Sequence, residues 1–304
     1  MAVVFRNFTR AELDDQYNNL AKVPADVLKA HRQYWEQESD RARRSWVHEL
    51  DMPYGPSAME KVDVYRPSGD GPHPVVVYIH GGYWRSGDKA DCGYLANALC
   101  AAGLVAVIIN YGLVPETPVG RQVEHCAEAV RWTRANIAAF GGDPDQIIVV
   151  GHSAGAHLAA MLIAKPAGQP ILAEEAIKGV YALSGIYDLE PVARSYLNES
   201  VALSDDDVQR LSPLILDHHA KVPCVVGVGL NEGDEYARQA QEMAQHWQAG
   251  GVHVTLRLFA DEDHFTIRSN WDHSGNPVFD QVLQLLPNSD KFQGKVELKE
   301  TSRV

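Results

Sequence analysis

Three short runs of apolar, mostly β-branched residues constrain this chain more than any other feature: Pro74–Ile79 (PVVVYI), Leu104–Asn110 (LVAVIIN) and Gln146–Val150 (QIIVV). A strand with one face in water alternates apolar and polar residues. These runs do not alternate, so both faces must be covered. Between them lie helix-like stretches, Lys89–Ala102, Val123–Phe140 (closed by Gly141-Gly142) and His157–Ala164. Further strand-like runs follow at Ile177–Leu183, Val222–Val228 and Val252–Phe259. Buried strands alternating with helices predict an α/β fold: a mostly parallel sheet with helices on both faces.

The flanks are of a different kind. Asp26–Trp46 carries Val27, Leu28, His31, Tyr34 and Trp35 at helical spacing, with charged residues between them that read as a solvated face. Strand-like runs at Trp46–Leu50 and Met59–Tyr65 precede a Gly/Pro-rich turn at Pro67–Pro74. Tyr187–Ala220, rich in Asp, Ser and Pro, interrupts the alternation and reads as a small cap. A length of 304 residues allows one domain or two. The order of elements predicts an N-terminal helical arm (1–45), one α/β domain (46–290, with the cap inserted at about 187–220) and a polar tail (291–304).

With 27 Lys+Arg against 40 Asp+Glu, the formal net charge is −13. That argues against nucleic acid and anionic membrane surfaces as partners. It fits a small substrate that is not strongly anionic. Cys92, Cys100, Cys126 and Cys224 form no C-x-x-C pair, and four in a chain this long read as free thiols. Met1–Arg10 has too short an apolar run for a signal-peptide core, and no stretch of about 20 apolar residues spans a membrane. A cytoplasmic protein is expected, and a homodimer is compatible with these features.

The chemistry centres on Gly151-His152-Ser153-Ala154-Gly155, directly after the QIIVV run and before an apolar helix. G-x-S-x-G in that setting is a strained strand-to-helix turn that lifts a serine hydroxyl above the sheet edge. Ser153 is the predicted nucleophile. His80-Gly81-Gly82-Tyr83-Trp84 follows the PVVVYI strand, where such a loop supplies backbone N–H groups to an oxyanion hole. Gly82 and Tyr83 are expected to join Ala154 there, and His80 reads as a loop anchor. In chain order the base comes last, which selects His264, just beyond the final strand. The acid should follow Val222–Val228, where Glu232, Asp234 and Glu235 compete. Glu232 is favoured because it lies nearest the strand end, and Asp234 is the alternative. Asp261 and Asp263 sit too close to His264 to orient it. His218 and His219 lack a third partner at metal-ligand spacing, so no metal and no cofactor are expected.

These motifs resemble the α/β-hydrolase superfamily, and within it the kynurenine formamidase (arylformamidase) family. HGGYW (80–84), GHSAGAHLAAM (151–161), LSGIYDLEPV (183–192), LSP (211–213), DHF (263–265) and DQYNN (15–19) carry the likeness, over roughly residues 10–285. The acid of that family is usually Asp. Alignment on Glu235-Tyr236-Ala237-Arg238-Gln239 puts Glu232 in its place, while Tyr111–Glu116 (YGLVPE) is closer to hormone-sensitive-lipase-like esterases. The resemblance implies a metal-free serine hydrolase that cuts the formamide of N-formylkynurenine or a related small amide, as in tryptophan catabolism. The alternatives are a broad carboxylesterase for small aryl or short acyl esters and a non-catalytic hydrolase-fold binding protein. Tyr83, Trp84, His152 and Tyr187, together with Tyr196 in the cap, are the expected walls of an aryl pocket.

Overall fold

The computed structural model describes residues 2–218, 221–271 and 275–286, so the predicted tail at 291–304 lies outside the described residues. The chain begins with a small ribbon, β1 (Val3–Phe5) and β2 (Phe8–Thr9), and helices α1 (Arg10–Tyr17) and α2 (Ala25–Ser45). Thr9 caps α1 in a capping box with Glu12. Strands β3 (Val47–Pro53), β4 (Lys61–Arg66) and β5 (His73–Ile79) follow, then α3 (Leu95–Ala101), β6 (Val105–Ile109), α4 (Val119–Asn136), β7 (Gly142–His152) and α5 (Ala154–Met161). The second half contains β8 (Gly179–Leu183), the short helices α6 (Glu190–Arg194), α7 (Asn198–Val201) and α8 (Asp205–Leu211), then β9 (Cys224–Gly229), α9 (Asp234–Ala249), β10 (Val254–Phe259), α10 (Thr266–Ser269) and α11 (Pro277–Gln284).

Eight strands form one sheet in the order β10-β9-β8-β7-β5-β6-β4-β3. Pairing is parallel from β10 through β6, whereas β4 and β3 run antiparallel at one edge. The three non-alternating runs became β5, β6 and β7, the inner strands, whose apolar residues are buried on both faces. Val75, Val77 and Ile79 face one core and Val76 and Tyr78 the other, as the period of two requires. β10 differs from the expected buried strand: it is the opposite edge and only partly covered.

The strand order reverses at β7, where β5 lies on one side and β8 on the other. Ligands of open α/β sheets bind at the carboxyl ends of the strands next to such a switch. The segments after β5, β7, β9 and β10 meet there. None of the described helices is long and apolar enough to cross a membrane.

Candidate active site

The site is built on the turn from β7 into α5. Ser153 has φ 58° and ψ −123°, a left-handed conformation that costs a non-glycine residue on the order of 1–3 kcal/mol. Its surroundings hold it there. The Ser153 N–H donates to the Leu183 carbonyl at the end of β8 (2.9 Å). A Cβ on Gly151 would fall 2.1 Å from the Gly155 carbonyl oxygen, and one on Gly155 would fall 2.1 Å from that of Ile79. Both flanking glycines are therefore required by backbone contact.

His264 Nε2 lies 3.0 Å from Ser153 Oγ, and His264 Nδ1 lies 2.5 Å from Glu232 Oε2. All three side chains are buried. The other oxygen of Glu232 accepts the Gly229 N–H and the Ser184 hydroxyl, each at 2.6 Å. A carboxylate with one oxygen taken by two donors has only the other to offer, and it offers that to the imidazole. Nδ1 therefore carries the ring proton and Nε2 has a lone pair for the serine. Asp234, the competing acid, is an exposed residue in the first turn of α9 and does not contact His264. Asp263 accepts the N–H groups of Phe265 (2.7 Å) and Thr266 (2.8 Å), which shapes the loop that carries His264. Asp261 is exposed.

The loop after β5 lies against the nucleophile. A Cβ on Gly81 would stand 2.8 Å from both the Ser153 Cβ and the His152 carbonyl oxygen. Gly82 (φ 123°) and Tyr83 (φ 49°) turn the backbone sharply. Among the described residues, the N–H groups of Gly82, Tyr83 and Ala154 have no protein acceptor. His80 is an anchor: its ring stacks on Tyr111 at 4.5 Å, and its Nδ1 lies 2.8 Å from the Gly81 carbonyl oxygen.

A cavity of about 250 Å³ opens on Ser153 and His264. Tyr83, His152 and Tyr196 line it. The His152 ring lies 4.7 Å from that of His264. Burial first, then the neighbouring His264 and Arg268, hold its basicity well below the usual imidazole range. Trp84 and Tyr187 do not line the cavity, which corrects two expected wall residues. Trp84 points into the core, where its indole N–H donates to His157 Nδ1 at 3.1 Å. Its φ of 58° carries the chain away from the cavity after Tyr83. Tyr187 is wholly buried, its ring is packed on Gly185, and its hydroxyl donates to the Ala182 carbonyl.

In their place the wall is built by the N-terminal arm. Tyr17, Asn18, Asn19, Leu20, Leu28 and Trp35 face the cavity, whereas the 187–220 segment supplies Tyr196. The Tyr83 hydroxyl donates to the Tyr17 carbonyl (2.6 Å), so it must accept from Asn19 Nδ2 (3.0 Å). The second hydrogen of that amide reaches the Tyr236 hydroxyl (2.8 Å). Tyr236 lies 4.9 Å from the His264 ring and its hydroxyl also interacts with Ser153. Lys22 Nζ donates to the carbonyls of Gln16 and Glu232, both at 2.7 Å, and ties the arm to the acid loop. Ser184, Tyr236 and Lys22 escaped the sequence reading. For Ser184 the available signal was its place at the carboxyl end of a central strand beside the acid.

Glu60, His125 and Glu128 bring ligand atoms within 4.8 Å of one another. His125 Nδ1 accepts the Gly112 N–H (3.1 Å), so the proton of the neutral ring sits on Nε2 and leaves no lone pair for a cation. His218 packs on Gly250 and beside His246, and His219 lies outside the described residues. The four cysteines are buried and unpaired, and burial pushes the Cys92 thiol up to about 11.

A buried serine hydroxyl, an imidazole with its lone pair toward that hydroxyl, and a carboxylate behind the imidazole can together generate an alkoxide-like nucleophile. On this sheet and with this elbow, they mark the chain as an α/β-hydrolase-fold hydrolase. Residues 62–245 match the BD-FAE family, and the chain belongs to it. It is 32% identical over 273 residues to the kynurenine formamidase of Danio rerio, covering 86% of this chain and 92% of that protein. It is 30% identical over 277 residues to the isoprenylcysteine alpha-carbonyl methylesterase ICME of Arabidopsis thaliana, covering 83% of this chain and 64% of that one. Among solved structures, a candidate thioesterase from Silicibacter sp. TM1040 superposes with a TM-score of 0.73 at 27% identity, covering 88% of this chain and 97% of its own.

Proposed function

We propose that this hydrolase cleaves a small aryl formamide or amide, N-formylkynurenine-like, through an acyl-enzyme on Ser153. Ser153 Oγ attacks the carbonyl carbon while His264 Nε2 takes its proton, and Glu232 holds the imidazolium through Nδ1–H. The oxyanion that forms meets the N–H groups of Gly82, Tyr83 and Ala154, donors typically worth about 3–4 kcal/mol each in the transition state. His264 returns the proton to the nitrogen of the leaving amine. Water, deprotonated by the same imidazole, then releases the acid and restores Ser153. Tyr83, His152 and Tyr196 wall the aryl side of the cavity. A cytoplasmic setting belongs to the same reading, supported by four buried, unpaired cysteines.

The observation that carries the chemistry is the chain of bonds Ser153–His264–Glu232. The choice of amide rests on likeness to a kynurenine formamidase over most of the chain. A second reading, a carboxylesterase for small aryl or short acyl esters, is favoured by the likeness to a methylesterase. Turnover of N-formylkynurenine and of p-nitrophenyl acetate separates the two, with Ser153→Ala as control and fluorophosphonate labelling as a count of active serine. Fast formamide turnover supports the first reading, and ester turnover alone overturns it.

A further inference from the structure

The sign of the cavity wall opposes the sign of the protein. The chain has a formal charge of −13, yet the wall carries Arg32, Arg85 and Arg268 and not one Asp or Glu. Among the described residues none of the three arginines is in an ion pair. Arg268 is held by neutral groups: its guanidinium lies 4.0 Å over the Trp35 ring and donates to the Asp91 carbonyl and the Tyr94 hydroxyl. Arg85, on the loop after β5, donates one N–H to Ser200 Oγ (2.7 Å) and stands beside Tyr196. Arg32 has no hydrogen-bonding partner among the described residues and shares one face of α2 with Leu28 and Trp35, which also line the cavity. In a chain with 40 acidic residues, three guanidinium groups converge on one cavity without an acid among them.

We propose that Arg32 and Arg85 are the specificity-determining residues of this site: their guanidinium forks, in the positive field of Arg268, read a carboxylate on the leaving group. A planar fork with unused N–H donors matches a carboxylate in two parallel bonds. A positive cleft in a negative protein also concentrates anions at its mouth. The inference rests on the acyl-transfer reading above and revises the expectation, drawn from net charge, of a substrate that is not strongly anionic. Net charge averages over a surface, whereas a substrate meets the cavity wall.

The test uses two substrate pairs, phenyl acetate and formanilide, each with and without a carboxyethyl arm on the ring. In the wild-type protein kcat/KM for the carboxylate form should exceed that for the neutral form by about tenfold or more, chiefly through KM, and the gap should narrow as salt screens it. In Arg32→Gln/Arg85→Gln that ratio should fall at least about fivefold, and Arg85→Glu should lower it further. Calorimetric titration of phenylpropanoate against phenylpropanamide into the Ser153→Ala protein reads the same preference without turnover. A ratio near one in the wild-type protein, or a ratio unchanged in the double variant, overturns the proposal. If the acetate pair shows the preference and neither formamide is cleaved, the formamide reading falls and the anion site stands. If both formamides are cleaved at equal rates, the reverse holds.

Discussion

Replacing Glu232 by glutamine removes one charge and keeps the shape of the side chain, and the structure dictates how the amide will sit. Oε1 accepts the Gly229 N–H and the Ser184 hydroxyl, both at 2.6 Å. The backbone N–H cannot become an acceptor, so the glutamine must keep its carbonyl oxygen at that position. Its NH₂ then faces His264 Nδ1, where Oε2 now stands at 2.5 Å. An NH₂ group can only donate, so Nδ1 must accept, and the ring proton moves to Nε2, 3.0 Å from Ser153 Oγ. The base is lost without any change in packing. In serine proteases the same inversion of tautomer lowers kcat by about 10⁴-fold. At roughly 1.4 kcal/mol per factor of ten this is about 5 kcal/mol of barrier. For Glu232→Gln we expect kcat on p-nitrophenyl acetate and N-formylkynurenine to fall by about 10³–10⁴-fold, with KM little changed. Slowed fluorophosphonate labelling should accompany the loss, and circular dichroism should report an intact fold. Asp234→Asn, an exposed change in the first turn of α9, should stay within about twofold of the wild type. Retention of activity within tenfold in Glu232→Gln, or a large loss only in the Asp234 variant, would refute the assignment.

Other outcomes follow from single contacts. Gly81→Ala places a Cβ 2.8 Å from Ser153 Cβ, so the loop must retreat from the nucleophile; kcat should fall by about 10²-fold or more while KM moves less, measured on the same ester. Trp84→Phe leaves His157 Nδ1 without its donor and should lower stability by about 1–2 kcal/mol in urea unfolding, with the amide-to-ester preference unmoved, because the ring lies in the core. His157 is buried with both ring nitrogens paired, and burial lowers its pKa from 6.5 to about 4. The unfolded chain binds this proton first, so the stability it contributes is complete above pH 6.5 and is lost as pH falls toward 4, by at most roughly 3 kcal/mol. Urea midpoints that do not fall between pH 7 and pH 4.5 would contradict it.

What was legible in the sequence was whatever a local pattern decides. Non-alternating runs named the inner strands, because burial on both faces leaves no position for a polar residue. Ser153 was legible because the turn that holds it admits only glycine at two flanking positions. Glu232 followed from its distance past a strand end. Less legible was whatever depends on elements far apart in the chain meeting. Trp84 and Tyr187 looked like pocket walls because aromatic residues near a nucleophile read that way, but the backbone at Trp84 and the glycine at 185 turn both inward. Arg32 looked like part of a solvated face, since nothing in α2 announces that this face closes over Ser153. The cluster of the Tyr83 and Tyr236 hydroxyls with the Tyr17 carbonyl joins residues more than 60 apart in sequence, and no spacing rule reaches that far.

The arm also makes the pocket a property of the whole chain. Tyr236 binds Asn19 across 217 residues, and Ser269 meets His31 across 238. The serine elbow is held by nearer partners, such as the Leu183 carbonyl that accepts the Ser153 N–H. Contacts between positions so far apart in sequence cost the most chain entropy to bring together. The cavity wall therefore depends on some of the longest-range contacts of the fold, whereas the nucleophile's turn does not.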